Sequence, residues 1–273
     1  MPCRKATNRD WFGMFCGIST EITYKKAYLN TKHLSTFVLT IVLVFGFLFT
    51  INAQGYKPTT YFTTEEMPDL IQCLPAPPDS TSEAFSYDIL RYMWGKLQRY
   101  DVERADMAKR DAVWSYEALL AEMSVPFGLE ISEKGTPEIW KLLTNSLATT
   151  DQMRVAPKAY YNRTRPFVYF HEEPFMESDK EFANEGSYPS GHTMRCWTAA
   201  LLLSEINPEA SAAIFSRAWL YCENRVITGA HWQSDIDATR SGASIGYARL
   251  QTSSEFQKQM AKAQKEFKRL IKK

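Results

Sequence analysis

Three short clusters carry the chemistry that this 273-residue sequence could perform. The first cluster holds basic side chains, the second a serine and a histidine, and the third an arginine, a histidine and a carboxylate. In chain order they are 158–166 (KAYYNRTRP), 188–192 (YPSGH) and 225–235 (RVITGAHWQSD). Taken singly, each has an ordinary explanation: solvated charges, a turn that caps a helix, and a histidine–carboxylate pair one helical turn apart. Their combination is more informative than any one of them.

Together the clusters supply what the transfer of a phosphoryl group requires. Negative charge develops on three equatorial oxygens of that group, and cations and N–H donors must bind them. The P-S-G-H stretch is predicted to start a helix, whose free N–H groups and positive dipole end suit an anion. The expected phosphate-binding residues are three cations and two neutral donors: Lys158, Arg165, Arg225, Ser190 and Gly191.

Two histidines and one aspartate could carry the covalent chemistry. His231 and Asp235 are four residues apart, so the carboxylate could fix the imidazole tautomer and leave the other nitrogen free as a nucleophile. With His192 the set is complete, because one histidine can attack while the other protonates the leaving group. No carboxylate cluster for a metal pair lies nearby and no cysteines have C-x-x-C spacing, so we expect neither metal nor cofactor.

The order K-x6-RP, PSGH and R-x5-H-x3-D resembles the signature of the type 2 phosphatidic acid phosphatase superfamily, which vanadium haloperoxidases share. Three longer stretches are similar to the bacterial class A nonspecific acid phosphatases: 73–88 (CLPAPPDSTSEAFSYD), 186–193 (GSYPSGHT) and 229–240 (GAHWQSDIDATR). The likeness runs from about Leu74 to Gly246. It implies an all-helical fold with the site between helices, and an acid phosphatase that hydrolyses phosphate monoesters.

By position in these motifs, the resemblance also implies a role for each residue. His231 would be the nucleophile that forms a phosphohistidine, Asp235 would orient it, and His192 would be the general acid. The phosphate would be held by Lys158, Arg165, Ser190, Gly191 and Arg225. One residue departs from the family, which often has Ser before the third-motif arginine where this chain has Asn224. Because Asn can still form hydrogen bonds, we expect Asn224 to adjust the activity without abolishing it.

The pattern of apolar residues predicts an all-α, single-domain helical bundle with the active site between core helices. Residues 54–80 hold five prolines and are expected to form an irregular arm, before a helical acid phosphatase domain over 81–273. Ser80 and Glu83 fit an S-x-x-E capping box, and a second helix is expected from Ala105 to Leu120. Further helices are predicted over 138–147, 150–156, 192–203, 209–223, 231–250 and 254–271.

The N-terminal region predicts export. Residues 34–53 (LSTFVLTIVLVFGFLFTINA) contain no charge and follow Lys25, Lys26 and Lys32, which is the pattern of a secretory signal cut near Ala53. An uncleaved anchor is the alternative, because about 20 apolar residues can span a bilayer. We therefore expect a leader over residues 1–53 and a periplasmic or secreted protein, attached to the membrane only if the leader is retained.

Composition narrows the range of partners. The formal net charge of +1 is too small for a nucleic-acid-binding surface, so small phosphomonoesters are the expected ligands. A homo-oligomer is compatible with the family. A vanadium-dependent haloperoxidase-like enzyme and a lipid-phosphate phosphatase share the motif, although the second class needs several apolar spans that this sequence lacks. A catalytically inactive phosphate-binding module is disfavoured because both histidines and Asp235 are present. The motifs do not specify the leaving group.

Overall fold

The computed structural model describes residues 55–272, so the expected leader and its cleavage site near Ala53 lie outside the described residues. Within that range the regular structure is helical and contains no β-strand, which confirms the all-α prediction. None of the helices between residues 55 and 272 has the length and apolar character needed to span a bilayer. The α-helices are α1 (Leu70–Cys73), α2 (Glu83–Gln98), α3 (Val102–Asp111), α4 (Tyr116–Phe127), α5 (Pro137–Asp151), α6 (Val155–Tyr161), α7 (Pro166–Tyr169), α8 (Gly191–Ile206), α9 (Ser211–Ile227), α10 (Gln233–Leu250) and α11 (Ser254–Leu270). Three 3₁₀ turns, at Gln152–Arg154, Glu177–Phe182 and Pro208–Ala210, join some of them.

Helix α8 lies at the centre of the fold, packed against α5, α9 and α10. Ser190 caps its N-terminus, because the hydroxyl of Ser190 accepts a hydrogen bond from the N–H of Thr193 at 3.3 Å. Small buried residues such as Ala199 and Ala200 allow the neighbouring helices to approach closely. Because α8 is buried on several sides and closely packed, it has little freedom to move. The PSGH motif at its first turn is therefore held on a rigid support.

The segment before α2 is mostly irregular and docks on the helices. The hydroxyl of Tyr56 donates to Asn145 Oδ1 at 2.8 Å, and the N–H of Tyr61 donates to Thr149 Oγ1 at 3.0 Å. Both partners lie on α5. The short helix α1 buries Leu70, which packs into an apolar cluster between the segment and α10. The division of the chain into an arm and a helical domain at residue 80 stays a prediction.

Helix α2 begins later than the sequence pattern predicted. Its N-cap is Ser82, whose hydroxyl accepts from the N–H of Phe85 at 3.1 Å, so the prediction of Ser80 as N-cap was wrong. The reason is the carboxylate of Asp79, which accepts from both the N–H and the hydroxyl of Thr81 at 2.8 and 2.6 Å. This local bonding forms a turn in place of the first helical residues.

The single helix predicted over 105–120 is two helices. Helix α3 ends at Asp111, and α4 starts after Ser115, whose hydroxyl accepts from the N–H of Ala118 at 2.9 Å. A serine that caps a new helix interrupts the old one, because the N-cap residue takes an extended backbone conformation. The break brings residues 112–114 to the N-terminal end of α8, next to the PSGH motif.

Candidate active site

A cavity of about 170 Å³ lies at the N-terminal end of α8. Six of the eight predicted site residues line it: Lys158, Arg165, Gly191, His192, Arg225 and His231. The other two, Ser190 and Asp235, are fully buried next to lining residues. Four lining residues were not predicted: Trp114, Arg154, Phe182 and Glu185. The three sequence clusters therefore meet in one place.

Backbone carbonyls hold two of the cations. Lys158 Nζ donates to the carbonyl of Gly186 at 2.5 Å. Arg165 Nε donates to the carbonyl of Phe182 at 2.9 Å, and its NH1 group donates to that of Ala230 at 3.0 Å. Carbonyl oxygens fix these side chains without cancelling their positive charge. The two cations thus stay available for an anionic ligand.

Two hydrogen-bond donors of Arg225 are unpaired among residues 55–272. Its NH2 group donates to Asp179 Oδ1 at 3.0 Å, but its Nε and NH1 groups are buried without a partner in the part of the chain that the structure describes. Only 1% of this residue is exposed. An unpaired buried donor costs about 1–3 kcal/mol, and more when it is charged. Phosphate oxygens in the cavity would satisfy both donors.

The crowded cations change each other's pKa values. Burial, with Arg165 and Arg154 adding to it, lowers the pKa of Lys158 to about 7. Burial and the charge of Arg225 lower the pKa of Arg165 to about 10. In each case the surroundings disfavour another positive charge, because burial penalises ions and like charges repel. A phosphate dianion would relieve that repulsion, so the cavity is suited electrostatically to an anion.

His231 lies between these cations and Asp235. Its Nδ1 atom is 3.4 Å from Asp235 Oδ2, an ion-pair distance that is long for a direct hydrogen bond. Its Nε2 atom is 3.5 Å from the NH1 group of Arg165, on the side of the cavity. Burial, and then the charges of Arg165 and Lys158, lower the pKa of His231 well below its ordinary value, which favours the neutral imidazole.

A buried ionic network positions Asp235. Its Oδ2 atom accepts from the N–H of Trp232 at 2.9 Å, and its Oδ1 atom accepts from the NH1 group of Arg163 at 2.5 Å. The NH2 group of Arg163 donates to Asp88 Oδ2 at 2.7 Å, which ties helix α2 to this network. Asp88 also accepts from the N–H of Ser234 at 2.8 Å. Both carboxylates are fully buried, so Arg163 supplies the charge that each requires.

The loop between α3 and α4 positions His192. The Nε2 atom of this residue is 3.1 Å from the carbonyl of Ala112, so Nε2 carries a proton and donates it. In the neutral ring Nδ1 is then the acceptor. The ring also packs against Trp114, with ring centroids 4.7 Å apart. Burial, followed by the charges of Arg225 and His231, lowers the pKa of His192 well below its ordinary value.

Asn224, the departure from the family pattern, lies outside the cavity lining on α9. Its Nδ2 group donates to Asp111 Oδ2 at 2.7 Å, and its Oδ1 atom accepts from Arg104. Asp111 is further held by Arg217 at 2.9 Å. The amide therefore joins α3 to α9 directly beside Arg225. Whether it alters the rate stays a prediction.

Comparison with known proteins identifies the family of the chain. Residues 139–254, which include all eight predicted site residues, match the PAP2 superfamily. The chain is 40% identical over 224 residues to a non-specific acid phosphatase from Providencia stuartii, covering 81% of this chain and 90% of the relative. It is 41% identical over 217 residues to one from Salmonella typhimurium, covering 79% and 86%. An acid phosphatase from Zymomonas mobilis is 29% identical, with 84% and 86% covered.

The chain belongs to the non-specific acid phosphatases of the PAP2 superfamily. In this family member, sequence reasoning missed the four further lining residues and, behind the cavity, Arg163, Asp88 and Ala112. Arg163 and Arg154 could have been found from the sequence. Arg163 lies inside the first motif, and Arg154 lies one helical turn before Lys158. Asp88, Ala112 and Trp114 lie outside the three clusters, and only the fold brings them to the site.

Proposed function

We propose that the protein hydrolyses phosphate monoesters through a phosphohistidine on His231. The observation that carries this proposal is that two histidines and the three predicted cations line one cavity, with two buried donors of Arg225 unpaired within residues 55–272. Such a site binds a tetrahedral anion and offers it both a nucleophile and a proton donor. The acid phosphatase activity itself is that of the family to which the chain belongs.

In the first step the Nε2 atom of His231 attacks phosphorus while the bond from phosphorus to the leaving oxygen breaks. Asp235 stabilises the imidazolium character that develops on the ring. Lys158, Arg165 and Arg225 bind the equatorial oxygens, together with the N–H groups at the start of α8. His192 gives a proton to the leaving oxygen, which departs as an alcohol.

In the second step a water molecule attacks phosphorus and the N–P bond breaks. His192, now neutral, accepts the proton of this water, and inorganic phosphate is released with His231 restored. The same group serves as acid and then as base, as microscopic reversibility requires. Each turnover therefore consumes one ester and one water and yields one alcohol and one phosphate.

The lowered pKa of His192 has a consequence for the pH of activity. Burial, and after it the charge of Arg225, oppose the protonation of His192 and lower its pKa. A bound phosphate dianion compensates this charge and raises the pKa of His192 again. Protonation becomes easier as pH falls, so esters with poor leaving groups should be hydrolysed best under acidic conditions.

Trapping of the phosphoenzyme tests the proposal. Rapid quench into alkaline detergent with ³²P-labelled aryl phosphate should give a phosphoprotein in the wild type, stable in base and labile in acid, and none in His231→Ala. The matched control is His171→Asn, since His171 is exposed and has a φ of 53°, which Asn tolerates. Phosphoenzyme formation by His231→Ala would refute the assignment of the nucleophile.

We also propose that the protein is exported, on the strength of the charged and apolar pattern before residue 54. Terminal sequencing of protein isolated from its native source should begin at Gln54 or within a few residues of it. Protein that retains residues 1–53 and sediments with membranes would instead favour an uncleaved anchor.

A further inference from the structure

Arg154 lines the cavity, but the steps described so far give it no function. It ends the 3₁₀ turn Gln152–Arg154, one helical turn before Lys158. Its Nε and NH2 groups donate to Asp151 at 2.8 and 3.2 Å. Its NH1 group makes no hydrogen bond to any residue between 55 and 272. Arg154 is therefore held in place with one donor group left over.

Arg154 lies next to the residues that face the leaving group. A Cβ atom on Gly191 would come within 3.1 Å of both Arg154 Cδ and Trp114 Cη2, so both side chains cover the residue before His192. Trp114 in turn packs on the ring of His192. In an in-line displacement the nucleophile and the leaving oxygen are on opposite sides of phosphorus. If His192 protonates the leaving oxygen, as proposed above, the side chains beside His192 lie on the leaving-group side of the cavity.

The charge of Arg154 exceeds what one phosphoryl group requires. Lys158, Arg165 and Arg225 already provide three cations for a dianion. The mouth of the cavity at this point is open to solvent, since Trp114 is 40% exposed and the side chain of Arg154 is 23% exposed. There is thus room for a substituent of the leaving group beside a guanidinium with a free donor.

We propose that Arg154 binds a second anionic group on the leaving-group side of the substrate. The enzyme then favours phosphate esters whose leaving group carries another phosphate over esters whose leaving group is neutral. This inference rests on the proposed function, because the role of His192 defines the leaving-group side. It makes Arg154 a specificity-determining residue, outside the three sequence motifs.

The test compares two substrates that differ only in the second anion: propyl phosphate and propane-1,3-diol bisphosphate. The ratio of their kcat/KM values, corrected for the two equivalent esters of the bisphosphate, measures the preference. Arg154→Gln should reduce this ratio about tenfold, which corresponds to about 1.4 kcal/mol. Arg154→Lys keeps the positive charge and should retain part of the preference.

Arg195→Gln is the matched control. Arg195 shares Asp151 with Arg154, through a hydrogen bond of 3.0 Å, and lies 3.3 Å above the ring of Trp114, but it does not line the cavity. Its replacement disturbs the same neighbours without removing the proposed contact, so the ratio should match that of the wild type.

Two results would overturn the inference and leave the proposed function intact. One is an equal loss on both substrates in Arg154→Gln, which would place Arg154 among the general phosphate-binding or structural residues. The other is an equal change of the ratio in Arg195→Gln, which would mean that the effect passes through Asp151 or Trp114. A wild-type enzyme without activity on either ester would instead overturn the proposed function, and this inference with it.

Discussion

The charge of Lys158 should be lost within an accessible pH range, and this makes it a direct test of the site. Burial and the neighbouring arginines lower its pKa to about 7. A group with that pKa is about half protonated at pH 7 and about 1% protonated at pH 9. If the protonated amine is required to bind phosphate, kcat/KM should fall about fiftyfold between these two pH values. The loss occurs as pH rises, because deprotonation removes the positive charge.

The assay is the hydrolysis of p-nitrophenyl phosphate from pH 7 to pH 9. A phosphate ester with a second pKa of about 6 is a dianion throughout this range, and nitrophenolate leaves without a proton. Arg165, with its pKa of about 10, stays mostly charged. In Lys158→Gln, kcat/KM should be lower at pH 7 but nearly constant up to pH 9, since an amide does not titrate.

Lys141→Gln is the control, because Lys141 is an exposed lysine of α5 and does not line the cavity. It should show the same alkaline decline as the wild type. The reasoning would be refuted by a wild-type profile that is flat to pH 9. It would equally be refuted by an unchanged decline in Lys158→Gln, which would assign the titration to another group.

Three further predictions address other parts of the site. His192→Ala should lose about 10²–10⁴-fold in rate on alkyl esters and much less on p-nitrophenyl phosphate; equal losses would make His192 a phosphate-binding group. Arg163→Gln leaves the buried carboxylates of Asp88 and Asp235 without their shared cation, so urea unfolding should show a loss of about 3–5 kcal/mol. The exposed pair of Arg110 with Glu122 provides the comparison, since Arg110→Gln should cost less than about 1 kcal/mol, and similar losses would contradict the role of the network. Hydrolysis of an aryl phosphate should survive EDTA and be inhibited by vanadate, whereas loss in chelator with recovery on adding a divalent ion would contradict a metal-independent mechanism.

The sequence was most informative where residue type and spacing together define a chemical function. Lys158, Arg165, Arg225 and the two histidines could be named because phosphoryl transfer needs cations, a nucleophile and an acid. Spacing alone also predicted most of the helices, because their apolar faces repeat with helical periodicity. The roles of these residues in catalysis stay predictions until the variants are measured.

The residues that sequence reasoning missed act through contacts that a local pattern does not encode. The partner of His192 is the backbone carbonyl of Ala112, and any residue type could supply it. To recognise this partner one must know that the chain breaks between α3 and α4. The helical pattern over 105–120 concealed that break, although Ser115 marks the start of the second helix. Asp88 belongs to a stretch that resembled the family, but its bond to Ser234 could not be inferred from either segment alone.

The network around Asp88 also bears on the order in which the site can assemble during synthesis. Asp88 and Ser234 are 146 residues apart in the chain, and Arg163 and Asp235 are 72 apart. Contacts between such distant residues form slowly, because a long loop must close before they are made. A ribosome-bound chain that ends before residue 235 contains Lys158 and His192 but lacks Asp235, the residue that we propose to orient the nucleophile. Synthesis would therefore be almost complete before an enzyme of broad specificity could act on the phosphate esters of the cell that makes it.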